Sequence, residues 1–154
     1  MIRNFQPGDH EAIATIYHRA IHEIASRAYT PEQCHAWAGE KTDPERWKAR
    51  CELKRPFIYE VNGEIAGFLE LDTDGHIDCA YINPDYQRQG IMSRLVRHAV
   101  SICFSFGLKR VHTEASHCAR PMFEKVGFGT VLENRVTIRG VELLNYKMEL
   151  RNET

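Results

Sequence analysis

The sequence predicts a mixed α/β (α+β) fold, in which a mixed sheet carries helices on its faces. Three observations lead there. The elements read along the chain in the order βααα-βββ-α-β-α-ββ. Asn62-Gly63 separates two β-prone runs, which is a strong hairpin signal. Residues 77–95 read as strand, turn and helix in direct succession.

The first strand is short, residues 2–5. Pro7-Gly8-Asp9 turns it, and Asp9 is placed to cap the next helix. Ala12/Ile13, Ile16/Tyr17, Ala20/Ile21 and Ile24 form one apolar stripe, predicting a helix over 10–27. Thr30-Pro31-Glu32-Gln33 is an N-cap, a proline at the first helical position and an acidic first turn, so a short helix runs through Cys34 and Trp37 towards Gly39. Thr42-Asp43-Pro44-Glu45 repeats the signal and starts a third helix that reaches about Leu53. Residues 57–61 and 65–71 are the hairpin strands, and Asp72-Thr73-Asp74-Gly75 turns into a strand at 76–82. Asn83-Pro84-Asp85 ends that strand, because proline lacks an N–H and pushes its predecessor out of the helical region. A long helix over 88–106 stops at Gly107. Then come a strand from Lys109 to Glu114, a short helix over 119–126 closed by Gly127, and two strands, Thr130 to Arg135 and Val141 to Leu150, around Arg139-Gly140.

Bulk properties narrow the function. A chain of 154 residues with no linker or repeat fits one domain, 1–154. A net charge of −1 gives no electrostatic case for nucleic acid or an anionic membrane. No window approaches the roughly 20 apolar residues of a membrane span, and the N-terminus lacks a signal-peptide core, so a cytoplasmic protein is expected. The five cysteines contain no CxxC pair and read as reduced thiols. His112 and His117 lack an evident partner set, so no metal is expected. Cys118 lies near the start of a short helix, where a thiolate would be favoured and a covalent acetyl-Cys route is conceivable, but it reads as an inert thiol.

The chemistry concentrates between the strand at 76–82 and the long helix. Gln87-Arg88-Gln89-Gly90 is polar and basic, and the unpaired N–H groups and dipole of a helix start add further positive potential. Gly90 lets the backbone approach a ligand with no Cβ in the way. The stretch suits a phosphate or pyrophosphate.

These residues resemble the GCN5-related N-acetyltransferases. Gln87-Arg88-Gln89-Gly90-Ile91-Met92 is similar to the family's Gln/Arg-x-x-Gly-x-Gly/Ala motif, and Met122-Phe123-Glu124-Lys125-Val126-Gly127-Phe128 to its later Leu-Tyr-Glu-Lys-x-Gly-Phe pattern. Tyr29-Thr30-Pro31-Glu32-Gln33, Ala36-Trp37-Ala38 and Ala119-Arg120-Pro121 further resemble a bacterial branch, the YafP-like acetyltransferases. The resemblance covers almost the whole chain. It implies a mostly antiparallel central sheet flanked by helices on both faces, and direct acetyl transfer from acetyl-CoA, with no metal, to an acceptor, most readily the amine of a small molecule. It also implies that the backbone of Tyr81 and Ile82 holds the pantetheine arm, that the N–H groups of Arg88, Gln89, Gly90, Ile91, Met92 and Ser93 hold the pyrophosphate beside Gln87, and that Phe123 and Lys125 border the cofactor. Two departures stand out: Met92 replaces a small residue, and Phe123 replaces a tyrosine often proposed to protonate the leaving thiolate.

An alkyl ammonium must lose a proton before it attacks. Strict alternation puts His76, Asp78 and Ala80 on one face of their strand and Ile77, Cys79 and Tyr81 on the other. Family members often carry a catalytic carboxylate at the parity of Asp78 and His76. Asp78 is thus a candidate base or water-orienting group, with His76 and Glu70 as further candidates; otherwise Asp78 is structural and Glu70 an exposed strand residue. Tyr29, Gln33 and Trp37, spaced by four, offer aromatic walls and an amide for an acceptor; otherwise Trp37 is plain core. A non-catalytic CoA-binding module on the same fold, and a protein N-terminal or lysine acetyltransferase, remain alternatives. Monomer and homodimer are both open, the last two strands being able to contribute to a dimer.

Overall fold

A computed structural model describes residues 1–153. The strands are β1 (Ile2–Asn4), β2 (Phe57–Val61), β3 (Glu64–Leu71), β4 (His76–Ile82), β5 (Arg110–Ala115), β6 (Gly129–Ile138) and β7 (Val141–Arg151). The helices are α1 (His10–Arg19), α2 (Pro31–Ala38), α3 (Pro44–Lys54), α4 (Ile91–Ser105) and α5 (Arg120–Val126). The strands form one sheet in the order β1-β2-β3-β4-β5-β7-β6. Every neighbouring pair is antiparallel except β4 and β5, which run parallel.

Local chemistry builds most of these elements as the sequence predicts. Asn62 and Gly63 take φ of 50° and 78°, and Arg139 and Gly140 take 48° and 80°, so both hairpins have the left-handed backbone that matches strand twist. Thr30 caps α2 reciprocally: its hydroxyl accepts from Gln33 N–H at 3.1 Å, and the Gln33 carbonyl accepts from Thr30 N–H at 2.9 Å. On α4, Ile91, Leu95, Ala99 and Cys103 form the buried stripe. They pack with Leu69, Ile77, Val111 and Met148 on one face of the sheet. Burying each large aliphatic side chain contributes roughly 1.5–3 kcal/mol. On the other face, Ile13 and Ile16 of α1 and Trp47 and Cys51 of α3 cover Ile58 and Phe68.

Four details differ from the sequence reading. Asp9 makes no side-chain cap. Its carboxylate instead takes the Arg3 guanidinium at 2.8 and 3.1 Å and Gln6 N–H at 2.8 Å, because a fixed bidentate cation outcompetes a single helix N–H. The helix expected over 10–27 is α-helical only to Arg19, then opens into a π turn over Ala20–Ile24 and a 3-10 turn over Ala25–Arg27. Helix α4 starts at Ile91 rather than 88, since Arg88 and Gly90 have φ of 63° and 74°. Most consequential, strict alternation on β4 fails. Leu69 pairs with Ala80 but Leu71 pairs with Ile77, so Asp78 and Cys79 together oppose Glu70 as a β-bulge. Ile77 therefore shares the α4 face with Ala80 and Ile82, while Asp78 and Cys79 both meet Arg50 of α3.

Candidate active site

Strands β4 and β5 are paired at His76↔His112 and Ile77↔Thr113, and beyond that they part. The gap exposes one edge of β4. Asn83 N–H bonds Ala66 O at 2.8 Å, and a Cβ on Gly67 would lie 3.2 Å from Tyr81 O. The two-residue alternation of an antiparallel ladder thus turns the main-chain groups of Tyr81 towards β3, and those of Ala80 and Ile82 towards the gap. Of the backbone pair expected to face a ligand, Ile82 is so placed and Tyr81 is not; Ala80 takes its place.

On one side of the parting lies a cavity of about 500 Å³. The loop Gln87 to Gly90, the first turn of α4 through Ile91, Met92 and Ser93, and Ile82 form one wall. Ala20, Ile24, Ala25 and Arg27 form the opposite wall, so the π and 3-10 turns bend the end of α1 around this cavity. Arg27, Arg88 and Lys125 border it, and no carboxylate does among the described residues. Arg94 N–H is the first to bond back into α4, to Gly90 O at 3.1 Å, so the N–H groups of Ile91, Met92 and Ser93 precede the intrahelical ladder. Nothing lies within 4 Å of a Cβ built on Gly90. Met92 is half-buried against the α4 core cluster. Gln87 turns its amide to Pro84 O at 3.0 Å, and Gln89 is exposed. Basic side chains, unpaired N–H groups and open space at a left-handed glycine fit an elongated phosphate-bearing anion.

The second cavity, about 250 Å³, reaches into the sheet through the same parting. Tyr17, Tyr29, Trp37 and Tyr81 supply aromatic walls, with Val136, Ile138 and Leu143 opposite them. The rings support one another edge-on: Tyr17–Tyr81 at 5.0 Å, Tyr29–Trp37 at 5.5 Å and Trp37–Tyr81 at 6.4 Å. Asp78 and Glu114 line this cavity, and no lysine or arginine does among the described residues. Trp37, Ala80, Tyr81, Ser116 and Ala119 line both cavities, so the two meet where the strands part.

The candidate bases have different surroundings. Glu70 is fully buried, contrary to its expected exposure, and Arg50 clamps it with bonds of 2.8 and 2.7 Å. Asp78 accepts from Lys54 at 2.9 Å and from Arg50 at 3.0 Å. Burial opposes its charge, but Lys54, Arg50 and His76 outweigh that and hold its pKa below the usual carboxylate value. His76 bridges Asp72, 3.3 Å from Nδ1, and Glu114, 2.9 Å from Nε2. Burial disfavours its imidazolium, yet these carboxylates prevail and raise its pKa. Burial pushes Tyr17 up to about 12 and raises Cys118, so both stay protonated near neutrality. Cys118 donates its S–H towards Ile24 O instead of presenting a thiolate.

The candidate acceptor residues separate likewise. Trp37 borders both cavities. Tyr29 lines the aromatic one, while its hydroxyl donates to Leu144 O at 2.6 Å and accepts from His117 N–H at 2.9 Å. Gln33 lines neither: its carbonyl caps α2 and its amide donates to Glu142 O at 3.0 Å. Phe123 is buried edge-on against Phe128 and floors the aromatic cavity rather than the basic one. Tyr17, Ala80, Glu114 and Ser116 were not singled out by sequence. Only Ser116 had a local signal, since its hydroxyl accepts from Ala119 N–H at 3.1 Å, a Ser turn ahead of α5.

A basic cavity and an aromatic cavity that meet inside a parted sheet have the form that a two-substrate group transfer calls for. The chain belongs to the GCN5-related N-acetyltransferase family: residues 25–150 match the model for the acetyltransferase (GNAT) domain, and the enzyme class is acetyltransferase. It is 33% identical over 150 residues to the uncharacterized N-acetyltransferase YafP of Escherichia coli K12, covering 97% of this chain and 95% of that one. A GCN5-related N-acetyltransferase structure from Rhodopseudomonas palustris superimposes with a TM-score of 0.92 at 28% identity, covering 99% of this chain and 95% of that one. YncA of Salmonella typhimurium, solved with its cofactor acetyl-CoA, shares the fold at a TM-score of 0.72 and 19% identity, covering 98% of this chain and 92% of that one.

Proposed function

We propose that the chain transfers the acetyl group of acetyl-CoA directly to the primary amine of a small molecule. The observation that carries this reading is the opposed charge of two adjoining cavities. One is bordered by Arg27, Arg88 and Lys125, the other by Asp78 and Glu114, and they share Ala80, Tyr81 and Ser116. An anionic cofactor and a cationic amine would be sorted to opposite sides of one reaction centre.

The N–H groups from Arg88 to Ser93 are assigned to the pyrophosphate, and the β4 main chain at Ala80 and Ile82 to the pantetheine arm. When bound, acetyl-CoA supplies the thioester. Aromatic walls hold the amine's apolar body and favour its ammonium. Asp78, held ionised by Lys54 and Arg50, is a weak base, so its assigned role is to orient a water that relays the ammonium proton to bulk solvent. The amine nitrogen then bonds the acetyl carbon as the carbon–sulfur bond breaks, the thiolate leaves with the electron pair, and the proton the nitrogen sheds on becoming a neutral amide passes through solvent to that thiolate. A thiol ionises far more readily than an amine, so the thiolate can leave without the tyrosine that Phe123 replaces. Ser116 keeps an O–H free beside the junction and is assigned to donate to the departing sulfur.

Calorimetry with acetyl-CoA and a thiol-release assay with arylalkyl and branched alkyl amines, N-terminal peptides and lysine peptides test the reading. Binding with amine-dependent CoA release from the small amines is expected. Binding without release from any amine would leave a CoA-binding module, the reading that Phe123 favours. Release with peptides alone would move the acceptor to proteins, and failure to bind acetyl-CoA would overturn the cofactor assignment.

A further inference from the structure

The base of the fork gathers a second set of chemical groups. His112 and Glu114 are two residues apart on β5 and so share a face, and His76 stands across from His112 in the parallel register. The two imidazoles stack at 5.0 Å and 19°. One ring nitrogen from each histidine and one Glu114 oxygen all lie within 4.8 Å of one another. A tetrahedral ion with bonds near 2.1 Å needs its ligand atoms about 3.4 Å apart, which modest side-chain rotation supplies.

Further carboxylates surround this triad. Asp72 lies 3.3 Å from His76 Nδ1 and is itself fixed by Lys54 at 2.8 Å. A carboxylate behind a ligand histidine orients the ring and leaves its other nitrogen for the metal. Asp74 lies 3.8 Å from a His112 nitrogen. All three side chains are partly exposed, at 20%, 21% and 37%, so an ion can reach them from solvent.

We propose that His76, His112 and Glu114 bind a late first-row divalent cation, zinc or a neighbour, at the point where β4 and β5 begin to part. Two imidazoles and one carboxylate suit these ions, whereas magnesium or calcium would want an all-oxygen shell. The ion takes the place of the hydrogen bond between His76 and Glu114. It braces the two strands at the hinge of the cleft, and through Glu114 it borders the cavity assigned to the acceptor. Spacing along the chain gave no sign of it, because 36 residues separate the two histidines.

Zinc titrated by calorimetry into chelator-stripped protein tests the site, with His112→Ala and the more conservative Glu114→Gln as variants. One zinc per chain is expected, with affinity at least tenfold weaker in each variant that folds by circular dichroism. Zinc should raise the melting temperature of the parent and of neither variant. Cobalt, as a spectroscopic stand-in, should show no thiolate charge-transfer band. The site is overturned if the parent binds no zinc or the folded variants bind it as tightly as the parent does. A thiolate band that survives both variants also overturns it, since the ion then sits on the cysteines.

Discussion

Thr113 Oγ donates a 2.9 Å hydrogen bond to the carbonyl of Ile77, at the last paired position of β4 and β5. Both residues are buried, at 4% and 1% exposure. Thr113→Val keeps the volume but leaves that carbonyl one donor short. A loss of about 1–2 kcal/mol in urea unfolding is expected, with a higher KM for acetyl-CoA as the parting loosens. Unchanged stability would show that the hydroxyl does not tie the fork.

Gly90→Glu should abolish acetyl-CoA binding by calorimetry. The new Cβ meets no atom within 4 Å, so packing is not what fails. A carboxylate is added beside the loop assigned to the pyrophosphate, and a non-glycine residue is forced to a φ of 74°, which costs roughly 1–3 kcal/mol. Gly90→Ala separates the two effects: similar strain, with binding largely kept.

Asp78→Asn should lower turnover with little change in acetyl-CoA affinity. Its folded pKa is depressed below the ordinary 3.8, so the stability it contributes is present above that pH and lost as pH falls through the folded value. The stability gap between parent and variant, measured in urea with chelator present, should hold from pH 7 to about 4 and close below it. A gap that closes near neutrality would assign it to another group.

Ser116→Ala should lower kcat about tenfold, the scale of one hydrogen bond to a charged group, while KM for acetyl-CoA stays within about twofold. Equal kcat in the variant would remove the hydroxyl from the thiolate's departure.

Arg50→Met should destabilise by about 3–5 kcal/mol, because it leaves the fully buried Glu70 carboxylate without its bidentate partner. Arg50→Met combined with Glu70→Leu should recover most of that loss. Additive losses in the double variant would contradict the pairing.

Much of the basic cavity was legible because it is local. The turn at Asn83-Pro84, the left-handed Gly90 and the first turn of α4 are set by residues adjacent in sequence. The aromatic cavity was legible only in part. Trp37 and Tyr29 reach the aromatic cavity, but Tyr17 and Glu114 reach it from α1 and β5 through packing that no local pattern encodes. Gln33 went the other way: the capping box that marks it as a helix start also occupies its carbonyl.

The sequence alone determined the order of elements, the two hairpin turns, the α2 cap and the basic loop ahead of α4, all products of backbone preference over a few residues. The tertiary structure alone decided the bulge that sets Asp78 and Cys79 on the same side, the burial of Glu70 under Arg50, and the opposed charge of two cavities that share Tyr81. The physical reason is range. A φ angle or a cap is fixed by its neighbours, whereas the register of β3 on β4 and the parting of β4 from β5 depend on helices packed on both faces of the sheet.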